Sequence, residues 1–126
     1  MASDEAVNLV SGERDNTYCL HGRVFDLQSS SASTVQASAP TRFKYFEEEG
    51  VIWGEYAGDT VTIGKLAGTR SDTSITLAYA HKTLMGSTVF GNATSEISVD
   101  PDGKFRLTEY FKGVDGTDQL SICCEV

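Results

Sequence analysis

From Thr41 to Val126, apolar and polar residues alternate in short runs broken by compact turn signals. A period of two places successive side chains on opposite faces, so each run reads as a half-buried β-strand. Arg42–Glu48 is one such run, closed by Glu49-Gly50. Val51–Ala57 follows, ended by Gly58-Asp59. Thr60–Arg70 comes next, with Ser71-Asp72 as its turn, then Thr73–Lys82, before a looser turn at Leu84-Met85-Gly86. Ser87–Val99 is a long strand. Asp100-Pro101-Asp102-Gly103 is the sharpest turn signal, because Pro presets φ and Gly supplies a positive φ. Lys104–Lys112 and Asp118–Glu125 complete the series. Upstream, Tyr18–Leu27 predicts a first strand. Gln28–Ala39 is rich in Ser, Ala and Thr and predicts a mobile loop, or an edge strand about Thr34–Ala37, placed to serve as a lid. Residues 1–16 are polar, lack strand periodicity and read as a flexible tail ahead of one domain over 17–126.

Short connections after Arg42 make consecutive strands hairpin neighbours. An open meander would leave two unpaired edges, a route to aggregation, and pairing the first strand with the last removes both. The expected fold is therefore all-β: a single antiparallel up-and-down barrel of about eight strands, with room inside for packed side chains or one small ligand.

Alternation sorts the faces. Ile75, Leu77, Tyr79 and His81 form one interior stripe, and Phe105, Leu107, Glu109 and Phe111 another. Phe43 and Tyr45 are expected inside, as are Val51, Trp53 and Glu55, and Leu120, Ile122 and Cys124. Polar groups on these faces matter, because a buried carboxylate must find a partner or stay protonated. Tyr79, His81 and Glu109 are the candidate catalytic residues, with His81 suited to general acid or base work near neutral pH. Phe43, Tyr45, Trp53, Glu55, Leu77, Leu107, Phe111 and Cys124 are the candidate ligand-binding residues. A hydrogen-bonded polar plug closing the barrel would account for the same cluster. Glu47-Glu48-Glu49 is an acidic run at a turn, expected to face water, while Arg70 and Glu96 read as isolated strand charges. His21 reads as a surface or interstrand residue.

The charge narrows the partners. A net −8 and a pI near 4.6 argue against nucleic acid and against an anionic membrane surface, both of which need clustered Lys and Arg. No stretch approaches the length of a membrane helix, and Asp4 and Glu5 stand where a signal peptide carries positive charge, so a cytoplasmic protein is expected. Cys19, Cys123 and Cys124 show no metal-ligand spacing and read as reduced thiols. No phosphate-binding loop, Ser-His-Asp order or cofactor motif is present.

The order GRVF (22–25), FKYFEEEGVIWGEYAGD (43–59), GKLAGTR (64–70), LAYAH (77–81), DPDGKFRLTEY (100–110) and CCEV (123–126) resembles a family of small bacterial proteins often labelled N-acetylglutamate synthase-like. The resemblance covers roughly residues 22–126 and implies a compact calycin- or lipocalin-like barrel. The chain has neither the pyrophosphate-binding turn nor the following helix that acetyl-CoA requires, so no cofactor is expected.

Three functions fit this reading. The first is a barrel that encloses a small hydrophobic molecule of bacterial secondary metabolism and promotes its isomerisation or cyclisation, with Phe43, Trp53 and Phe111 as walls. The second is a carrier or sensor using the same cavity without chemistry. The third is a structural protein with a filled core and a homodimer face made by Val61, Ile63 and Phe90.

Overall fold

A computed structural model describes residues 17–32 and 35–126. The expected tail at 1–16 and part of the expected edge strand at 34–37 lie outside the described residues; 35–37 belong to no strand. The strands are β1 (Val24–Ser30), β2 (Arg42–Glu48), β3 (Val51–Gly58), β4 (Val61–Ser71), β5 (Ser74–Thr83), β6 (Thr88–Val99), β7 (Phe105–Lys112) and β8 (Asp118–Glu125). Each pairs antiparallel with the next, and β8 pairs back with β1 to close an eight-stranded barrel. The all-β up-and-down barrel expected from the sequence is thus the observed fold. The first strand begins later than expected, at Val24, because Thr17–Arg23 turns across one end of the barrel instead of joining its wall.

Turn chemistry sets the hairpins. Glu49 and Gly50 both take positive φ, 50° and 80°, as a two-residue hairpin turn matched to strand twist requires. Gly103 takes φ 87° and donates to the Asp100 carbonyl at 2.8 Å, closing the Pro-Asp-Gly turn.

The two ends of the barrel differ. At one end Leu20 is fully buried beside Phe25, Tyr45, Ile52 and Phe105, so this half is packed solid. Glu47 points into it and forms a buried ion pair with Arg70, Nη2 to Oε2 at 2.8 Å and Nε to Oε1 at 2.8 Å. Glu47 also accepts the Leu20 N–H at 3.0 Å, and Arg70 donates to the Asp72 carbonyl at 2.6 Å. Glu47 therefore does not face water, as its acidic run suggested, because the strand's alternation turns it inward onto a charge waiting there. His21 lies at this end too, exposed, accepting the Glu47 N–H at 3.1 Å. At the other end the register slips between Leu27 and Ser29, between Tyr56 and Gly58, and between Val61 and Ile63. Such bulges gather at barrel rims and re-aim side chains.

Two expected faces are reversed. In β3, Ile52, Gly54 and Tyr56 point inward while Val51, Trp53 and Glu55 face out. In β8, Ser121 and Cys123 point inward, and Leu120, Ile122 and Cys124 lie on the outer face. Both strands carry apolar residues on both faces, so hydrophobicity alone does not choose between them.

Candidate functional site

The slipped end of the barrel opens into a cavity of about 460 Å³. Its walls come from every strand, and its rim from the turns after β3 and β7 and from the loop after β1. Phe43, Leu77, Tyr79, His81, Glu109 and Phe111, all expected at a site, line it. Tyr45 and Leu107 are inside the barrel but belong to the packed half, at 1% and 2% exposure. Trp53, Glu55 and Cys124 are not in the cavity: Trp53 is 42% exposed, Glu55 pairs with Lys65 at 3.0 Å on the outer wall, and the Cys124 thiol meets Gln28 Oε1 at 3.1 Å outside. Val61, expected on an outer dimer face, turns inward at its bulge and lines the cavity, whereas Ile63 remains outside.

The residue that sequence reading missed is Tyr56. Its ring stacks on Phe43 at 4.8 Å, and its hydroxyl shares a 2.9 Å hydrogen bond with His81 Nδ1. Room for the ring comes from β4: a Cβ at Gly64 would sit 2.5 Å from Tyr56 ring carbons. Tyr79 lies beside His81 with rings nearly parallel, 6.3 Å apart, over Gly91 of β6. Phe43, Tyr56, Tyr79, His81 and Phe111 thus form an aromatic wall contributed by four strands, β2, β3, β5 and β7.

Glu109 is the anomaly of the site. It lines the cavity from the middle of β7, between Leu107 and Phe111. Its one hydrogen bond among the described residues is from the Ser95 hydroxyl, at 3.5 Å, the outer limit of such a contact. Burial pushes its carboxyl up to about 7, against the smaller, opposing effect of the Ser95 contact. Burial likewise holds the His81 imidazole below its ordinary value and raises the Tyr56 and Tyr79 phenols, with the Glu109 charge raising both phenols further. At neutral pH the cavity therefore holds a neutral imidazole, intact phenols and a carboxyl present in both its protonated and ionised forms.

The rim is polar. Ser31 of the Ser-rich loop is tied to β8, its hydroxyl 2.7 Å from Gln119 Oε1 and accepting the Leu120 N–H at 2.8 Å. Ser30 and Ser121 hydroxyls meet at 2.9 Å. Asp59, Lys112 and Asp115 stand at the mouth, with Lys112 paired to Asp118. Among the described residues no group of three or more His, Cys, Asp or Glu is placed to hold a metal ion, and no helix is long and apolar enough to cross a membrane.

Searches of curated proteins and of solved structures returned no match. The family model described as Avidin-like protein matches residues 18–126, nearly the whole of the barrel and the segment that plugs it. That match supports the calycin-like barrel and does not bear on the N-acetylglutamate synthase-like label. A closed eight-stranded barrel, a ligand-sized cavity at one end and this match agree: the chain belongs to the Avidin-like protein family, a family of small-molecule-binding barrels.

Proposed function

We propose that this protein binds one small, largely apolar molecule inside the open half of the barrel, and that Tyr79, His81 and Glu109 orient it. The observation that carries this reading is the cavity itself: about 460 Å³, open to solvent, walled by aromatic rings and supplied with a few inward polar groups. Cavities of that size and lining are the usual sites of small-molecule recognition. In this reading Phe43, Tyr56, Leu77 and Phe111 supply contact area, while the Tyr56–His81 pair and Glu109 fix orientation. Ser31, held to β8 through its hydroxyl, and Ala32 border the mouth.

A thermal-shift and native-mass-spectrometry screen of small metabolites, with biotin-like molecules included, tests this. A true ligand should raise the melting temperature in a concentration-dependent way. Val89→Trp, which fills the mouth of the cavity from β6, should abolish the shift while the protein stays folded. If that variant binds as well as the parent, the ligand is elsewhere and the reading fails.

A second reading, cofactor-free isomerisation or cyclisation of a hydrophobic secondary metabolite, is favoured by the carboxyl of Glu109, which is poised near neutrality. Product analysis after incubation discriminates the two. Ligand recovered unchanged supports a carrier, whereas turnover that Glu109→Gln removes with binding retained supports catalysis. Exposed Ile63 on the outer wall, with Phe90 exposed at the rim of the cavity, favours a homodimer, which light scattering would reveal.

A further inference from the structure

We infer that the molecule this cavity accepts is a small organic cation, its apolar body against the Phe43–Tyr56 stack and Phe111, and its amine-type nitrogen on the carboxylate of Glu109. The inference rests on the ligand-binding reading above and names the chemical class of the ligand.

The geometry points there by what is missing. A carboxylate inside a protein is held by cations or by several donors. Glu47 at the opposite end has both. Glu109 has one long contact from Ser95, and among the described residues no Lys or Arg pairs with it; Lys112, which lines the same cavity, is paired with Asp118. The groups that face it are Tyr45 from β2, Tyr56 from β3, Tyr79 and His81 from β5, Ser95 from β6, and Ser121 and Cys123 from β8. Burial first, then the Glu109 charge, raises these tyrosines and the Cys123 thiol, so all of them stay uncharged through the neutral range. Glu109 lines the open cavity, and among the described residues no cation is placed against its carboxylate.

Two further observations favour a cation. Aromatic faces carry negative quadrupole density and attract organic cations, most strongly where water is excluded. The charged residues at the mouth are Asp59, Asp115 and Lys112, and the lysine is already paired with Asp118. A chain net charge of −8 disfavours the approach of an anionic ligand. A cation would restore ionisation to Glu109 and form a charge-assisted hydrogen bond with it. Binding near pH 7 should therefore release a proton from Glu109 to solvent, and affinity should fall as pH drops below about 7.

Isothermal titration calorimetry with three near-isosteres tests the inference: phenethylamine, phenethyl alcohol and phenylacetate. At pH 8 the amine should bind at least about tenfold more tightly than either of the others, a preference of the size expected for a charge-assisted contact. Its affinity should weaken toward about tenfold per pH unit below pH 7, with proton release detected in buffers of different ionisation enthalpy. Glu109→Gln should bring the amine down to the affinity of the alcohol and abolish the proton release. If the alcohol or phenylacetate binds as tightly as the amine, or Glu109→Gln retains the amine preference, the cation inference is overturned. In that case Val89→Trp blocking the same binding leaves the ligand-binding reading standing. If none of the three binds and the wider screen finds nothing, both fall together. The comparison among isosteres uses the unaltered protein, so it decides the matter even if the variant folds poorly.

Discussion

Glu109 exacts a cost in stability that its position imposes. Its carboxyl has an ordinary value of 4.5, and burial moves it to about 7 in the folded protein. Between those values the folded state holds the proton and the unfolded chain does not. Stability contributed by the protonated carboxyl is therefore present at low pH, falls as pH rises through this window and levels off above about 7. The loss is on the order of 2 kcal/mol once water in the cavity is allowed for. Urea unfolding at pH 5 and pH 8 should show this decline in the parent and a smaller one in Glu109→Gln, which should be the more stable protein at pH 8. A residue that lowers stability and faces a cavity has the profile of a functional group. The Glu47–Arg70 pair behaves differently, because each charge is satisfied. Arg70→Met would take a buried cation from Glu47 and should cost about 3–5 kcal/mol in denaturant unfolding. Adding Glu47→Leu should recover part of the loss and not all, since the Leu20 N–H then has no acceptor.

At the scale of elements, glycines decide which rings fit. A methyl group at Gly64 would sit 2.5 Å from the Tyr56 ring, which has a flexible attachment and gives way by moving. Gly64→Ala should cost about 1–3 kcal/mol and loosen the Tyr56–His81 contact. Tyr56→Ala should remove most of that penalty in a double-mutant cycle. A methyl at Gly68 meets the Thr76 carbonyl oxygen at 2.0 Å, and this is backbone, so Gly68→Ala should cost more and find no side-chain rescue. Register is also an element-scale matter, and it explains why Ile52, Gly54 and Tyr56 of β3, and not Val51, Trp53 and Glu55, point inward. The two-residue turn at Glu49-Gly50 makes Glu48 face Val51, and therefore Tyr45 face Gly54 and Phe43 face Tyr56. Residues opposite one another in a ladder share a face. Placing Phe43 and Tyr45 inside thus already required Gly54 and Tyr56 inside, and Trp53 and Glu55 out. The signal was in the turn. The β7–β8 ladder obeys the same rule, with Leu107 opposite Cys123 and Glu109 opposite Ser121. Its connection, residues 113–117, is longer and does not fix the register by itself, so there the chain alone left the question open.

For the whole molecule, closure is the feature on which everything else depends. β8 completes two ladders, one with β7 and one with β1. Glu125 reinforces that seam by accepting from Arg23 at 2.8 Å and from the Phe105 N–H at 2.8 Å. Deleting residues 118–126 should leave two open edges and abolish cooperative unfolding, seen as a broad thermal transition and aggregation on size exclusion. The sequence by itself determined the strands, their antiparallel order and the inward stripes of β5 and β7, because a period of two and short turns are local properties of the chain. It also brought Phe43, Tyr79, His81, Glu109 and Phe111 into consideration, since alternation puts them on apolar faces. Only the tertiary structure decided that the barrel is solid at one end and hollow at the other. That depends on Thr17–Arg23 folding across one mouth, on Glu47 meeting Arg70, and on three bulges at the opposite rim. Apart from the bulge in the β3–β4 hairpin, where Gly58 faces Val61, these join residues distant in the chain, where competition for space and for charge partners leaves no mark in local periodicity.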